Sequence, residues 1–278
     1  MTTVRQKIVT VLPYDPKWPE LFKVEASHIA KGLGDHCLEI HHIGSTSVPG
    51  LCAKQDIDIL CVIDDLEACL ELQKIGYTFK GDYNIPLRYF FSKNSETSKV
   101  NLHVAEKGHS FIDLQLCFRD YLRKHDAVRD AYAALKQSLV QDPNSHLKVG
   151  SRFVNYGLGK DRFIKGVLEQ AGFQGIIFNF CMHDREWETI THWRQDYFMK
   201  HQGIQDPETG TFDHPDHIHM IMYQGANIAG YAHLERLPGN NVALKLMIID
   251  EPYLTQNFES IFQDFCAKWL KRKGWRML

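Results

Sequence analysis

The residue types best suited to chemistry gather between His42 and Asp58: a Gly44-Ser45 turn, Thr46, Lys54, and the carboxylates Asp56 and Asp58. On a strand, Asp56 and Asp58 project to the same side, about 7 Å apart along the backbone. Two carboxylates on one strand face can share a hard divalent cation whose shell is completed by water and phosphate oxygens. Gly44 lets backbone approach an anion closely, and Ser45 adds a hydroxyl. Lys54 can neutralise charge that develops in phosphoryl transfer. Singly these features are common, since an Asp at a strand start often only caps or turns. Together, with Asp56 eleven residues after Ser45, they are far more specific.

The elements that must hold this set follow from hydrophobic periodicity. Cys37–Ile43 reads as a strand running into the turn, and Ile57–Ile63 as a nearly all-apolar strand central in a sheet. Ile8–Leu12 alternates as a short strand, and Asp15 with Pro16 opens a helix closed by Gly32 and Gly34. Asp64-Asp65 caps a helix over Leu66–Ile75 that Gly76 ends. Tyr77–Phe79, Leu87–Ser92, Val100–Val104 and Phe111–Leu116 are further expected strands. Long helices are expected from Phe118 to about Val140 and from about His146 to Gln170. The basic residues of the first form a solvated face, with Arg119 and Arg123 set apart from it.

Gly172-Phe173-Gln174-Gly175 divides the chain into domains over 1–173 and 176–278. The second begins with a strand at Ile176–Phe180 and a helix from Asp184 to about His201. Strands at Ile218–Tyr223 and Ile228–Glu235 flank a hairpin turn, and Val242–Ile249 follows. Phe258–Lys271 is an amphipathic helix stopped by Gly274, after which Trp275–Leu278 starts another strand. His217 and His219 share a strand face and can ligate one ion, yet no third ligand occurs at a recognised spacing, so a polar strand start is preferred.

The 278 residues are 44% apolar and 24% charged, so each half can bury a core. With 32 basic and 34 acidic side chains the net charge of −2 provides no field for nucleic acid or anionic membrane. Small-molecule substrates are the expected partners. No apolar run is long enough to span a bilayer, and the N-terminus lacks a secretory cleavage pattern. Seven scattered cysteines without a CxxC pair fit reduced thiols and a cytoplasmic protein.

Residues from about Ile8 to Gly172 resemble the GrpB (UPF0157) family. The likeness rests on Pro13-Tyr14-Asp15-Pro16-Lys17-Trp18-Pro19, His42 through Leu51, Lys54 with Ile57-Asp58-Ile59, Leu102-His103-Val104, and Phe118 through Arg123. That family is similar to nucleotidyltransferases, which implies a mixed α/β (α+β) sheet with flanking helices. It also implies a nucleotide at the Gly-Ser turn and Mg²⁺ or Mn²⁺ at the acid pair. On this reading Asp56, Asp58, Lys54 and His103 are catalytic, and Asp56 and Asp58 hold the metal. Gly44, Ser45, Thr46, His42 and Arg88 bind a nucleoside triphosphate. The family usually has proline and an apolar residue where this chain has Gln55 and Asp56. Its paired-histidine motif reads Asn101-Leu102-His103, leaving only His103. Asp113 is the positional candidate for a third carboxylate on a neighbouring strand.

Residues from about Ile176 to Leu278 resemble the front of a GNAT acetyltransferase, on the order strand, helix, loop, three strands, helix and on His219–Tyr223, Ala229–Leu234 and Met247–Pro252. The resemblance implies an incomplete GNAT-like α/β domain. At the Arg-x-x-Gly-x-Gly turn that binds acetyl-CoA this chain has Leu254, Asn257 and Glu259. Side chains then fill the path of close approach, and Glu259 opposes a diphosphate, so acetyl-CoA is disfavoured. An incomplete sheet edge is expected to be covered, by the first domain or by a homo-oligomer. Three readings result: a metal-dependent nucleotidyltransferase with an unidentified small acceptor, a non-catalytic nucleotide-binding or assembly module, and, third, an N-acetyltransferase.

Overall fold

The computed structural model describes residues 4–6, 8–94, 98–149 and 152–278. The chain divides into two compact units, Met1–Tyr83 with Leu87–Gly175, and Asn84–Pro86 with Ile176–Leu278.

The first unit runs β1 (Val4–Gln6), α1 (Trp18–Leu33), β2 (Cys37–Ile43), β3 (Asp56–Ile63), β4 (Thr78–Phe79), β5 (Arg88–Asn94) and β6 (Lys99–Glu106). It continues through α2 (Ser110–Lys124), α3 (Asp126–Leu139), β7 (Leu147–Val149), β8 (Arg152–Phe153), α4 (Val154–Leu158) and α5 (Asp161–Gln170). Its main sheet is mixed, in the order β2-β3-β6-β5-β4, with only the β3–β6 pair parallel. Ile57, Ile59, Cys61 and Ile63 of β3 are all buried, packing with Trp18, Ile29 and Leu33 of α1 and with Leu66 and Leu72. Each such aliphatic side chain stabilises the fold by about 1.5–3 kcal/mol. That one apolar face therefore anchors the strand, and the first residues of its other face are left to Asp56 and Asp58.

Several expectations are corrected here. Ile8–Leu12 forms only a single bridge, Leu12 to Ala53, and the N-terminal strand lies earlier, at β1. The first helix starts at Trp18 rather than Pro16, and Asp15 accepts from the Lys17 backbone N–H at 2.9 Å just ahead of it. Leu66–Ile75 winds as a 3-10 helix, capped as expected by Asp65 and closed by left-handed Gly76. Phe111–Leu116 is the start of α2, not a strand: His109 Nδ1 caps the Phe111 N–H at 3.1 Å. Six alternating residues fit either period, and the cap decides between them. The helix expected from Phe118 to Val140 breaks at His125, whose φ of −128° and ψ of 86° are not helical. His146–Gln170 folds as β7, β8, α4 and α5 instead of one helix.

The second unit runs β9 (Ile176–Phe180), α6 (Asp184–Gln202), β10 (His217–Gln224), β11 (Asn227–Leu237), β12 (Asn241–Ile249), α7 (Phe258–Arg272) and β13 (Arg276–Met277). Its sheet is ordered β13-β12-β11-β10-β9, antiparallel except where β13 joins β12. Phe258, Phe262, Cys266, Trp269 and Leu270 form the buried stripe of α7. Arg194, on α6, is fully buried and donates to both carboxylate oxygens of Asp206, at 2.7 and 2.8 Å. The same guanidinium reaches Tyr231 and His233 of β11, so one side chain joins helix, sheet and the connection after α6.

Burial, with the positive charge of Arg194, pushes His219 down to about 4; burial and the neighbouring His219 and Arg194 push His233 to about 3. Below the ordinary histidine value of 6.5 the unfolded chain takes up protons that the folded unit refuses. Stability is therefore complete above that value and falls as pH drops toward 4. Denaturant midpoints compared at neutral pH and at about pH 5 should show the loss; a pH-independent midpoint would contradict it.

Candidate functional site

The site in the first unit is built around the joint between β2 and β3. Gly44 adopts φ 67° and ψ −171° and leads into a 3-10 turn over Ser45–Ser47. A Cβ placed on Gly44 would lie 2.4 Å from Asp58 Oδ2 and 2.9 Å from Asp58 Cβ. Both the positive φ and this close approach require glycine. They seat the Asp58 carboxylate directly against the backbone of the turn.

The turn is braced on all sides. Ser47 Oγ donates to the Gly44 carbonyl at 2.6 Å, and Thr46 Oγ1 donates to the Asp56 carbonyl at 3.3 Å. From α2, Arg119 donates to the His42 carbonyl at 3.1 Å and Arg123 to the Ser47 carbonyl at 2.7 and 3.0 Å. The two arginines set apart in the basic run thus clamp the ends of the turn.

Asp56 and Asp58 share the strand face opposite the core, and Lys54 Nζ lies 3.4 Å from Asp56 Oδ2. The parallel register sets Asp58 opposite Asn101, whose Nδ2 donates to Asp58 Oδ1 at 2.9 Å. Burial raises the Asp58 carboxyl to about 6; Asn101 and the ammonium groups of Lys54 and Lys160 pull the other way, while Asp56 adds to the rise. Burial and the charge of Lys54 lower Lys160 to about 8, partly offset by Asp58. Lys160 and Lys54 both face the Tyr156 ring, 4.6 and 5.7 Å from its centre. Tyr132 of α3 lies close to Ser45, and burial raises its phenol above the ordinary tyrosine range. Beside it, Lys136 is buried, donates to the Cys52 carbonyl, and is held near 8 chiefly by burial.

Gly44, Ser45, Lys54, Asp56 and Asp58 are thus brought together. Of the other expected residues, Thr46 and His42 brace the turn, while Arg88 and His103 lie apart from it. His42 alternates to the opposite face of β2 from Ile43, which pairs with Asp58, and its ring stacks on Phe22 at 4.7 Å. Burial, followed by the charges of Arg123 and Arg119, lowers it to about 4, so it is neutral at physiological pH. Its Nε2 lies 3.1 Å from Thr46 Oγ1, so both side chains are spent on the turn. Arg88 is 1% exposed, with its guanidinium over Phe90 and Phe111 at 5.5 and 5.4 Å. His103 sits between the same two rings, two residues beyond Asn101, and burial holds it well below the ordinary histidine range. Asp113 lies exposed in the first turn of α2, not on a strand beside the acid pair.

The residues that reading the sequence missed are Asn101, Tyr132, Tyr156 and Lys160. Asn101 carried a signal, because Lys99, Asn101 and His103 alternate with apolar residues and so share one face. The other three come from distant helices or helix ends and carried none.

The donor set suits a hard cation that keeps water and phosphate in its shell: two carboxylates on one face, beside the turn that carries Ser45. Among the described residues no cluster of three or more His, Cys, Asp or Glu could hold a metal by protein ligands alone. In the second unit, both nitrogens of His219 are engaged, with the Tyr231 hydroxyl at 2.7 Å and the Thr211 carbonyl at 3.2 Å, so the His217–His219 pair offers no two-ligand site. Leu254 is exposed, Asn257 has a left-handed φ of 57°, and Glu259 occupies the first turn of α7.

The GrpB protein family profile matches residues 8–170. A UPF0157 protein of Halalkalibacterium halodurans is 45% identical over 137 residues, covering 48% of this chain and 70% of that protein. UPF0157 protein YqkA of Bacillus subtilis is 36% identical over 168 residues, covering 59% of this chain and 47% of that protein, so the match spans less than half of its length. The crystal structure of the conserved protein GrpB from Enterococcus faecalis aligns at a TM-score of 0.51 with 33% identity, over 58% of this chain and 96% of that one. GNAT-family acetyltransferase structures also align, at a TM-score of 0.30. With the family profile covering well over half of its residues, the chain belongs to the GrpB family.

Proposed function

We propose that the first unit is a nucleotidyltransferase-type enzyme that binds a nucleotide with a divalent cation and acts on a small acceptor. One observation carries this reading: the Asp58 carboxylate is packed against Gly44 so closely that no side chain fits between. Ser45 and the turn backbone are thereby fixed beside the acid pair, which is where a phosphate and its cation have to meet. Asp56 and Asp58 would hold Mg²⁺ or Mn²⁺, and the ion would supply charge neutralisation to phosphate oxygens. Ser45 and the turn orient the phosphate, and Lys54 and Lys160 place positive charge alongside it. Asn101 fixes the Asp58 carboxylate by its hydrogen bond to Oδ1.

Asp58→Asn keeps an oxygen for the Asn101 hydrogen bond and removes a carboxylate that burial disfavours. Calorimetry should show Mn²⁺-dependent nucleotide binding by the wild type and its loss in Asp58→Asn, with melting temperature equal to or above wild type at neutral pH. Undiminished binding by Asp58→Asn would refute the assignment. The second reading, a binding module without turnover, is favoured by the exposed position of Asp113, which leaves two carboxylates rather than three. Turnover of labelled nucleotide across a panel of small acceptors separates the two.

A further inference from the structure

In the second unit β9 ends at Phe180, opposite Met220, so residues His217–His219 of β10 run past its end. A cavity of about 280 Å³ lies there, walled by Phe180, Trp187, Phe212 and Trp269, with His217 and Arg236 among its polar lining. Its size is at the lower end for a small-molecule site, and its lining mixes aromatic surface with few polar groups, as such sites do.

The hydrogen positions behind His217 follow from one residue. A guanidinium only donates. Arg194 Nη1 lies 3.2 Å from Tyr231 Oη and 3.2 Å from His233 Nδ1, so both of these accept. Neutral His233 then carries its hydrogen on Nε2 and donates to His217 Nδ1 at 2.8 Å. His217, accepting at Nδ1, carries its own hydrogen on Nε2. The second branch runs from Tyr231 Oη to His219 Nδ1 at 2.7 Å, and from His219 Nε2 to the Thr211 carbonyl at 3.2 Å. Glu208 Oε2, 3.4 Å from both Arg194 Nη2 and His233 Nδ1, is matched to the donor of the two. One branch thus closes on a protein carbonyl, while the other ends at a histidine in the cavity wall.

We infer that this cavity binds a small carboxylate with a flat apolar body, the carboxylate taking the His217 Nε2–H while the ring stands among the aromatic walls and Arg236, whose guanidinium lies over Trp275 on the other face of the sheet, adds positive charge at the rim. One N–H donor with a cation at the same rim selects an anion, and Trp187, Phe212 and Trp269 select a planar group over a bare inorganic ion.

The test titrates the full chain with phenylacetate, read by calorimetry and tryptophan fluorescence. Saturable binding is expected, with phenylacetamide and acetate each weaker by about tenfold or more. His217→Ala should weaken phenylacetate by about tenfold, and His217→Gln, whose amide N–H can replace Nε2–H, should recover most of the loss. In ¹⁵N spectra of the histidine-labelled chain, His217 should carry its proton on Nε2. Absence of saturable binding, equal binding of phenylacetate and phenylacetamide, no effect of His217→Ala, or a His217 proton on Nδ1 would each overturn the inference.

Discussion

Arg194→Met should destabilise the second unit by about 3–5 kcal/mol, the largest loss expected of any single substitution in it. Both side chains of the Arg194–Asp206 pair are essentially inaccessible, at 0% and 2% exposure. Methionine fills most of the volume but leaves the Asp206 carboxylate buried without its cation. It also removes the donor on which Tyr231 and His233 rely. The penalty belongs to the stranded charge rather than to the value of the pair itself. Arg194→Met with Asp206→Asn should therefore lose clearly less than the sum of the two single variants. Urea titrations of the four proteins supply the cycle, and simple additivity would contradict the account.

Gly44→Ala should be the most damaging conservative change in the first unit, costing about 2–4 kcal/mol and abolishing nucleotide binding. The added Cβ meets Asp58 Oδ2 at 2.4 Å, and the strand that carries Asp58 is anchored by its buried apolar face. Neither strand can retreat cheaply, and φ 67° with ψ −171° is strained for alanine regardless of space. The double variant Gly44→Ala with Asp58→Gly should regain stability without regaining binding. Thermal melts, with calorimetry for the ligand, read the two effects separately. A Gly44→Ala protein that melts and binds like wild type would show that the close packing of turn and carboxylate is not required.

Much of this site was legible because it is local. The Gly-Ser turn, Lys54 and the acid pair lie within one β-turn-β passage, and the apolar run of β3 announces a central strand from composition alone. What was not legible depends on long-range register. His42 adjoins the turn, and only the fold shows its ring stacked on Phe22 with Nε2 engaged by Thr46. Arg88 offered a charge, but only the fold shows that charge enclosed by Phe90 and Phe111. Asn101 meets Asp58 through a parallel pairing across 43 residues, and Lys160 enters from the start of α5, where a single continuous helix had been expected. In the second unit the succession of strands along the chain followed from hydrophobic alternation and turn residues, whereas the Arg194 network joins side chains from α6, the connection after it, and two strands. No local period marks such a set.

The central claim is that phosphate and cation meet between the Gly44 turn and the carboxylate pair. Crystals soaked with a nucleoside triphosphate and Mn²⁺ test it most directly, through the manganese anomalous signal. The account predicts a peak at Asp56 and Asp58, with phosphate density continuing to Ser45. Ordered nucleotide bound elsewhere in the first unit, with no manganese at Asp58, would contradict it.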